Sequence, residues 1–198
     1  MKRARALHHL RTTAETCADM ATRPQSIFPL RVDQLWVAGE ILTPADDLDS
    51  VLIGLVVDLP PDEVAWLTEP HGSQHWTNAA RLQTAPVTIR WRSAAAPIWN
   101  HALDRPVLVW TVTDGINEEV LRAIAENDLD NVRLAAPSPA LRAERLADDL
   151  AVSLRALRGG TATYTERRWR PGKLEPTADA LWHASEGYLD LLDAVNSP

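Results

Sequence analysis

The sequence contains one cysteine, one phenylalanine and two tyrosines, and only two of its 20 basic residues are lysines, Lys2 and Lys173. The single Cys17 excludes an internal disulfide and suits a reducing compartment, so a cytoplasmic location is expected. Its place on a helical apolar face makes it a small core residue. No segment reaches the roughly 18 apolar residues needed to cross a bilayer, so no membrane is expected as partner. The opening Met1-Lys2-Arg3-Ala4-Arg5 is basic, but His8, His9 and Arg11 interrupt any apolar stretch after it, which argues against a secretion signal. Positive charge is also short. The formal net charge is −7 and the pI near 5.3, so broad electrostatic binding of nucleic acid is not expected.

What is present is an ordinary globular composition, 45% apolar and 24% charged over 198 residues, enough for one domain with its own core. Eight tryptophans stand out against the single phenylalanine. Either they replace phenylalanine in the core, or some line a pocket or an interface, a homodimer included.

Periodicity outlines the elements. Leu7, Leu10, Ala14 and Cys17 share one face of a helix over 4–20. A short strand is predicted around Leu35-Trp36-Val37. The continuous run Val51-Leu52-Ile53-Gly54-Leu55-Val56-Val57 calls for a strand covered on both faces. Pro60-Pro61-Asp62-Glu63 resembles a helix start, and a short helix should hold Trp76, Ala79, Ala80 and Leu82. Residues 87–92 alternate Val87, Ile89 and Trp91 against Thr88, Arg90 and Arg92, a period of two. Strands are also expected at 107–112 and, at an edge, 131–135. Asn117 caps a helix running to Asn127. Ser138-Pro139 opens another that carries Leu146, Leu150, Leu154 and Leu157 and stops at Gly159-Gly160. Thr177 caps the last. The expected fold is α+β (α/β): a mixed β-sheet core over 1–115 with an N-terminal helix, and a helical C-terminal part over 116–198 packed on the same core.

One segment carries candidate chemistry. Gly39-Glu40 closes the first strand, and Asp47 and Asp49 precede the second. Two carboxylates at i and i+2 in an extended segment point the same way. They can share a hard divalent cation such as Mg²⁺. A glycine turn beside them lets backbone N–H groups approach phosphate. The plain alternative is a solvated turn, which aspartate favours.

This arrangement resembles the polymerase-β-like nucleotidyltransferase superfamily, over roughly residues 30–92. The resemblance implies a mixed-sheet core, Asp47 and Asp49 as metal ligands, and Gly39 and Glu40 beside a nucleotide. The sequence departs from the pattern. Glu40 stands in place of the motif serine, six residues separate it from Asp47, and Thr88, Arg90 and Arg92 stand where a third acid would be. Without that acid the attacking hydroxyl has no base, so the resemblance implies a degenerate member that binds a nucleotide or a protein partner more readily than it turns one over. The whole chain also resembles an actinobacterial family of uncharacterised proteins, through Trp91-Arg92-Ser93, Trp99-Asn100-His101 and Arg168-Trp169-x-Pro171-Gly172-Lys173 among other segments.

Arg168, Arg170 and Lys173, with Arg167, form the densest basic patch, interleaved with Trp169 and Pro171. Such a patch suits a nucleotide, a short nucleic acid or an acidic partner, or pairs with the acidic 46–49 loop of the same chain or a sister chain. His71 and His75 lack a third ligand at metal spacing and read as surface residues. Asn100-His101 either positions a ligand or forms a turn.

Overall fold

In a computed structural model that describes residues 1–196, a five-stranded mixed sheet lies between helices on both faces. The elements are α1 (Arg3–Thr22), β1 (Val32–Ala38), β2 (Val51–Val57), α2 (Ser73–Ala79), β3 (Val87–Ser93), β4 (Val107–Thr111), β5 (Gly115–Ile116), α3 (Glu118–Glu126), α4 (Pro139–Arg167) and α5 (Glu175–Asn196). Strand order is β3-β2-β1-β4-β5. All neighbours run antiparallel except β2 and β3, which are parallel and joined across the sheet by α2.

The pleat sorts β2 between two cores. Val51, Ile53, Leu55 and Val57 face α1 and α3, together with Leu10, Ala14 and Cys17. Leu52 and Val56 face the opposite way, with Trp66, Ile98, Leu103, Leu146, Leu150 and Leu191, under the hairpin of α4 and α5. Double cover explains the unbroken apolar run. Leu35, Ile53 and Leu55 are fully buried, each worth about 2 kcal/mol of removed apolar surface.

Two caps stand where the sequence places them. Asn117 Oδ1 accepts the Val120 N–H at 3.0 Å, and Ser138 Oγ accepts the Leu141 N–H at 3.2 Å. Four expectations need correction. Pro61–Glu63 makes only a 3-10 turn. Residues 131–135 form no strand, and their place at the sheet edge is taken by β5, whose two residues carry no periodic signal. Gly159-Gly160 does not end α4, which runs on to Arg167. Gly160 instead lies inside the helix against α5, where a Cβ would meet Leu181 at ordinary contact distance, 3.4 Å from Cδ1 and 3.6 Å from Cα. Thr177 lies buried inside α5, which begins at Glu175.

Candidate functional site

The sequence-predicted acids lie at the edge of the α1 layer. Residues 46–48 are zipped to the start of the chain: the Arg3 N–H donates to Asp46 O at 2.9 Å and the Leu48 N–H to Met1 O at 2.8 Å. Lys2 Nζ donates to Asp47 Oδ2 at 2.8 Å, with both side chains mostly exposed. That ammonium holds the Asp47 carboxyl below its ordinary value. Asp49 is exposed, and Leu48 between them is buried. Gly39 ends β1 with φ +75, a turn geometry that glycine favours, and Glu40 beside it is exposed. Among the described residues, no three His, Cys, Asp or Glu side chains are grouped so as to hold a metal ion.

Arg168, Arg170 and Lys173 do not meet this loop. They are exposed in the turn between α4 and α5, and among the described residues none of them forms an ion pair. The Arg168 guanidinium lies 4.4 Å from the centroid of the Trp169 ring, itself 81% exposed. Intramolecular neutralisation of the 46–49 loop therefore comes from Lys2 and not from this patch.

A different group is brought together under the α4–α5 hairpin, with Trp66 at its centre. Trp66 is buried in the segment between β2 and α2. Its indole N–H donates to Asp190 Oδ2 on α5 at 2.6 Å. The same carboxylate oxygen meets His101 Nε2 at 2.8 Å, and the His101 ring packs edge-on to Trp66 with centroids 5.3 Å apart. Arg90 and Arg92 set their guanidinium groups 5.7 and 5.8 Å from the Trp66 ring centroid, within cation–π range.

Arg92 is only 3% exposed. Its Nη2 donates to Pro97 O at 3.0 Å and lies 3.4 Å from Asp149 Oδ2. Asp149, buried on α4, takes its shortest bond from Arg145 one turn earlier on the same helix. Burial pulls Arg92 below the ordinary arginine value; Asp149 opposes that, and the neighbouring Arg145 adds to it. Arg90 is lowered for the same first reason, burial, with Asp190 opposing it. Arg92 and Arg145 thus share the buried Asp149, while Arg90 feels Asp190 at longer range.

Asn100-His101 does form a turn, because Asn100 Oδ1 accepts the N–H groups of Ala102 and Leu103 at 3.0 and 2.9 Å. It also contributes to this centre through His101. Trp66, Asp149 and Asp190 carried no sequence expectation. The one local sign was the spacing of Arg145, Asp149 and Ser153, which places three polar groups along one stripe of α4. His71 and His75 are surface residues, His75 stacked on Phe28.

Fold and site together define a mixed α+β domain whose C-terminal helical hairpin closes over an arginine-rich polar centre. The chain belongs to the family described as a domain of unknown function (DUF7711), which matches residues 1–197. Neither a curated protein nor a solved structure matches it. Among the described residues no helix is long and apolar enough to cross a membrane.

Proposed function

We infer that this protein is nucleotidyltransferase-like in plan but binds rather than transfers, taking a nucleotide or another anionic partner without catalysis. The reading is carried by the residues of β3. Arg90 and Arg92 stand on the strand where the resemblance would require a third acid, and their guanidinium groups gather beneath the hairpin. A guanidinium repels a metal ion and attracts phosphate or carboxylate. The order of β1, the Gly39 turn, Asp47-x-Asp49 and β2 supports the plan. The engagement of Asp47 by Lys2 supports the loss of transfer, since a metal would have to displace that ammonium. The free, buried Cys17 suits a cytoplasmic home. A protein partner or a second copy would meet the chain at Trp169 and Trp182, exposed on α4–α5.

Calorimetry with ATP, GTP, CTP and UTP, each with Mg²⁺, tests the nucleotide reading. The expected result is saturable binding of at least one, weakened in Arg90→Gln, with no transfer of a labelled nucleotidyl group. Silence with all four removes the nucleotide.

A second reading is active Mg²⁺-dependent transfer, with Asp47 and Asp49 as metal ligands. It is favoured by the exposure of Asp49 two residues before the β2 start and by the positive-φ turn at Gly39. It requires metal-dependent turnover that disappears in the Asp47→Ala/Asp49→Ala double variant.

A further inference from the structure

The loop 97–104 and the first half of α4 enclose a cleft of about 470 Å³, lined by Trp99, Asn100, His101, Arg142, Arg145 and Leu146. A volume of that order suits a metabolite-sized molecule. Three of these lining residues carry a nitrogen that is buried and has no hydrogen-bond partner among the described residues: Asn100 Nδ2, His101 Nδ1 and Arg145 Nε. Two more such atoms, Arg92 Nε and Ser153 Oγ, belong to the adjoining polar centre. A buried polar group without a partner costs on the order of 1–3 kcal/mol, so five in one region call for an explanation.

The orientation of each nitrogen follows from its neighbours. Asn100 is 4% exposed, and its Oδ1 already accepts two backbone N–H groups. Turning the amide over would set donor against donor, so Nδ2 is the end left free to donate. Arg145 spends Nη2 on Asp149, leaving Nε–H. His101 Nε2 meets the Asp190 carboxylate, which places a proton on Nε2 and leaves Nδ1 as the ring nitrogen without a partner. Two free donors and one free ring nitrogen therefore belong to residues that line the cleft. Arg142 also lines the cleft, paired with Asp104 at 2.8 Å. The cleft lining holds two arginines and no carboxylate, which favours an anion, and the half-buried Trp99 offers an apolar face to the rest of the molecule.

We propose that this cleft binds a compact organic oxyanion, a carboxylate or phosphate on a flat body bearing a hydroxyl. The oxyanion takes the donors of Arg145 and Asn100, the hydroxyl donates to His101 Nδ1, and the flat body lies on Trp99. The free nitrogens are covered in the unliganded chain, so binding requires a small outward shift of the 97–104 loop that keeps His101 on Asp190 and Arg145 on Asp149. The proposal shares with the reading above only the demand for an anion, and it does not require a nucleoside triphosphate or a metal.

The test is calorimetry and thermal denaturation of the full chain with AMP, salicylate, inorganic phosphate, and ATP with Mg²⁺. AMP or salicylate should bind and raise the melting temperature, and inorganic phosphate alone should bind more weakly. Asn100→Asp keeps the Oδ1 cap and replaces the free donor by an acceptor; Arg145→Lys keeps the charge and removes Nε–H. Each should weaken binding by about tenfold or more, with unchanged circular dichroism, whereas Arg5→Ala and Arg122→Ala, at exposed positions away from the cleft, should not. Should Asn100→Asp not fold, Arg145→Lys alone decides. Salicylate binding without any nucleotide binding supports this cleft and removes the nucleotide reading. Anion binding that both variants leave intact overturns this cleft and spares that reading. No binding of any probe by the parent protein overturns both.

Discussion

Gly187 of α5 lies directly against the backbone carbonyl of Trp66: a Cβ built on it would stand 1.9 Å from that oxygen. The glycine is what lets α5 approach closely enough for Asp190, nearly one turn further on, to reach the Trp66 indole and the His101 ring. A backbone atom cannot move aside as a side-chain tip can. Gly187→Ala should therefore push α5 outward and cost about 1–3 kcal/mol, read as a lower urea midpoint. Gly160→Ala makes the useful contrast. Its Cβ would meet Leu181 at 3.4 Å or more, an ordinary contact distance, and alanine favours the helix by up to about 1 kcal/mol. The Gly160 variant should be close to neutral. Equal stability of both variants would contradict the packing of α5 on Trp66.

Asp149 is buried between Arg92 and Arg145, so its removal strands two guanidinium groups in the interior. Asp149→Ala should cost about 3–5 kcal/mol. Replacing all three by apolar residues of similar size (Arg92→Met, Arg145→Met, Asp149→Leu) should recover most of that loss, because the desolvation cost goes with the charges. The urea midpoint is again the measurement. A single Asp149→Ala variant as stable as its parent would mean that the two guanidinium groups are solvated and the centre is not closed.

The frame was legible in the sequence and its polar centre was not, for a physical reason. Burial by layers leaves a local signature: the alternation over β3, the unbroken apolar run of β2, the stripe of α1 and the caps at Asn117 and Ser138 are all set by near neighbours. The Trp66–Asp190 and Arg92–Asp149 contacts join residues 124 and 57 positions apart, and nothing local at either end announces the other. Gly160 misled because a glycine that ends a helix and a glycine inside one look alike in one dimension. The Trp excess resolves both ways. Trp66, Trp76, Trp91 and Trp110 are buried, in place of the scarce phenylalanine, whereas Trp169 and Trp182 are exposed. The Asp47 and Asp49 pattern was visible at once, but its engagement by Lys2 depends on where α1 begins relative to β2.

Cys17 is 1% exposed on the inner face of α1, and burial pushes its thiol up to about 12. The thiolate is the reactive form, so iodoacetamide at pH 8 should leave the native protein unmodified and label it fully in denaturant, as read by mass spectrometry. The sign of the linked stability effect follows. The folded chain holds the proton more tightly than the unfolded chain, whose thiol has its ordinary value near 9. Folding is therefore unpenalised below that value and loses stability as pH rises toward 12. Cys17→Ala should flatten this alkaline limb. Rapid native labelling would place Cys17 at the surface.

Trp66 and Asp190 form the bond that ties the sheet-side loop to the hairpin, and a double-mutant cycle isolates it. Trp66→Phe keeps an aromatic face for Arg90 and Arg92 but deletes the N–H that donates to Asp190. Asp190→Asn keeps an acceptor oxygen and removes the charge. Asp190 is about half exposed, so the bond is weaker than a fully buried one, and Trp66→Phe should cost about 1 kcal/mol from the hydrogen bond plus the lost packing of the second ring. The two substitutions should couple by about 0.5–1 kcal/mol, because each removes part of the same contact. The double variant should also leave His101 without its carboxylate, freeing the ring to turn within the cleft. If His101 is held by Asp190 for ligand binding, Asp190→Asn should weaken the anion response measured by calorimetry while moving the urea midpoint little. Strict additivity of Trp66→Phe and Asp190→Asn would show that the indole and the carboxylate act independently, and that this bond does not help to hold the hairpin on the sheet.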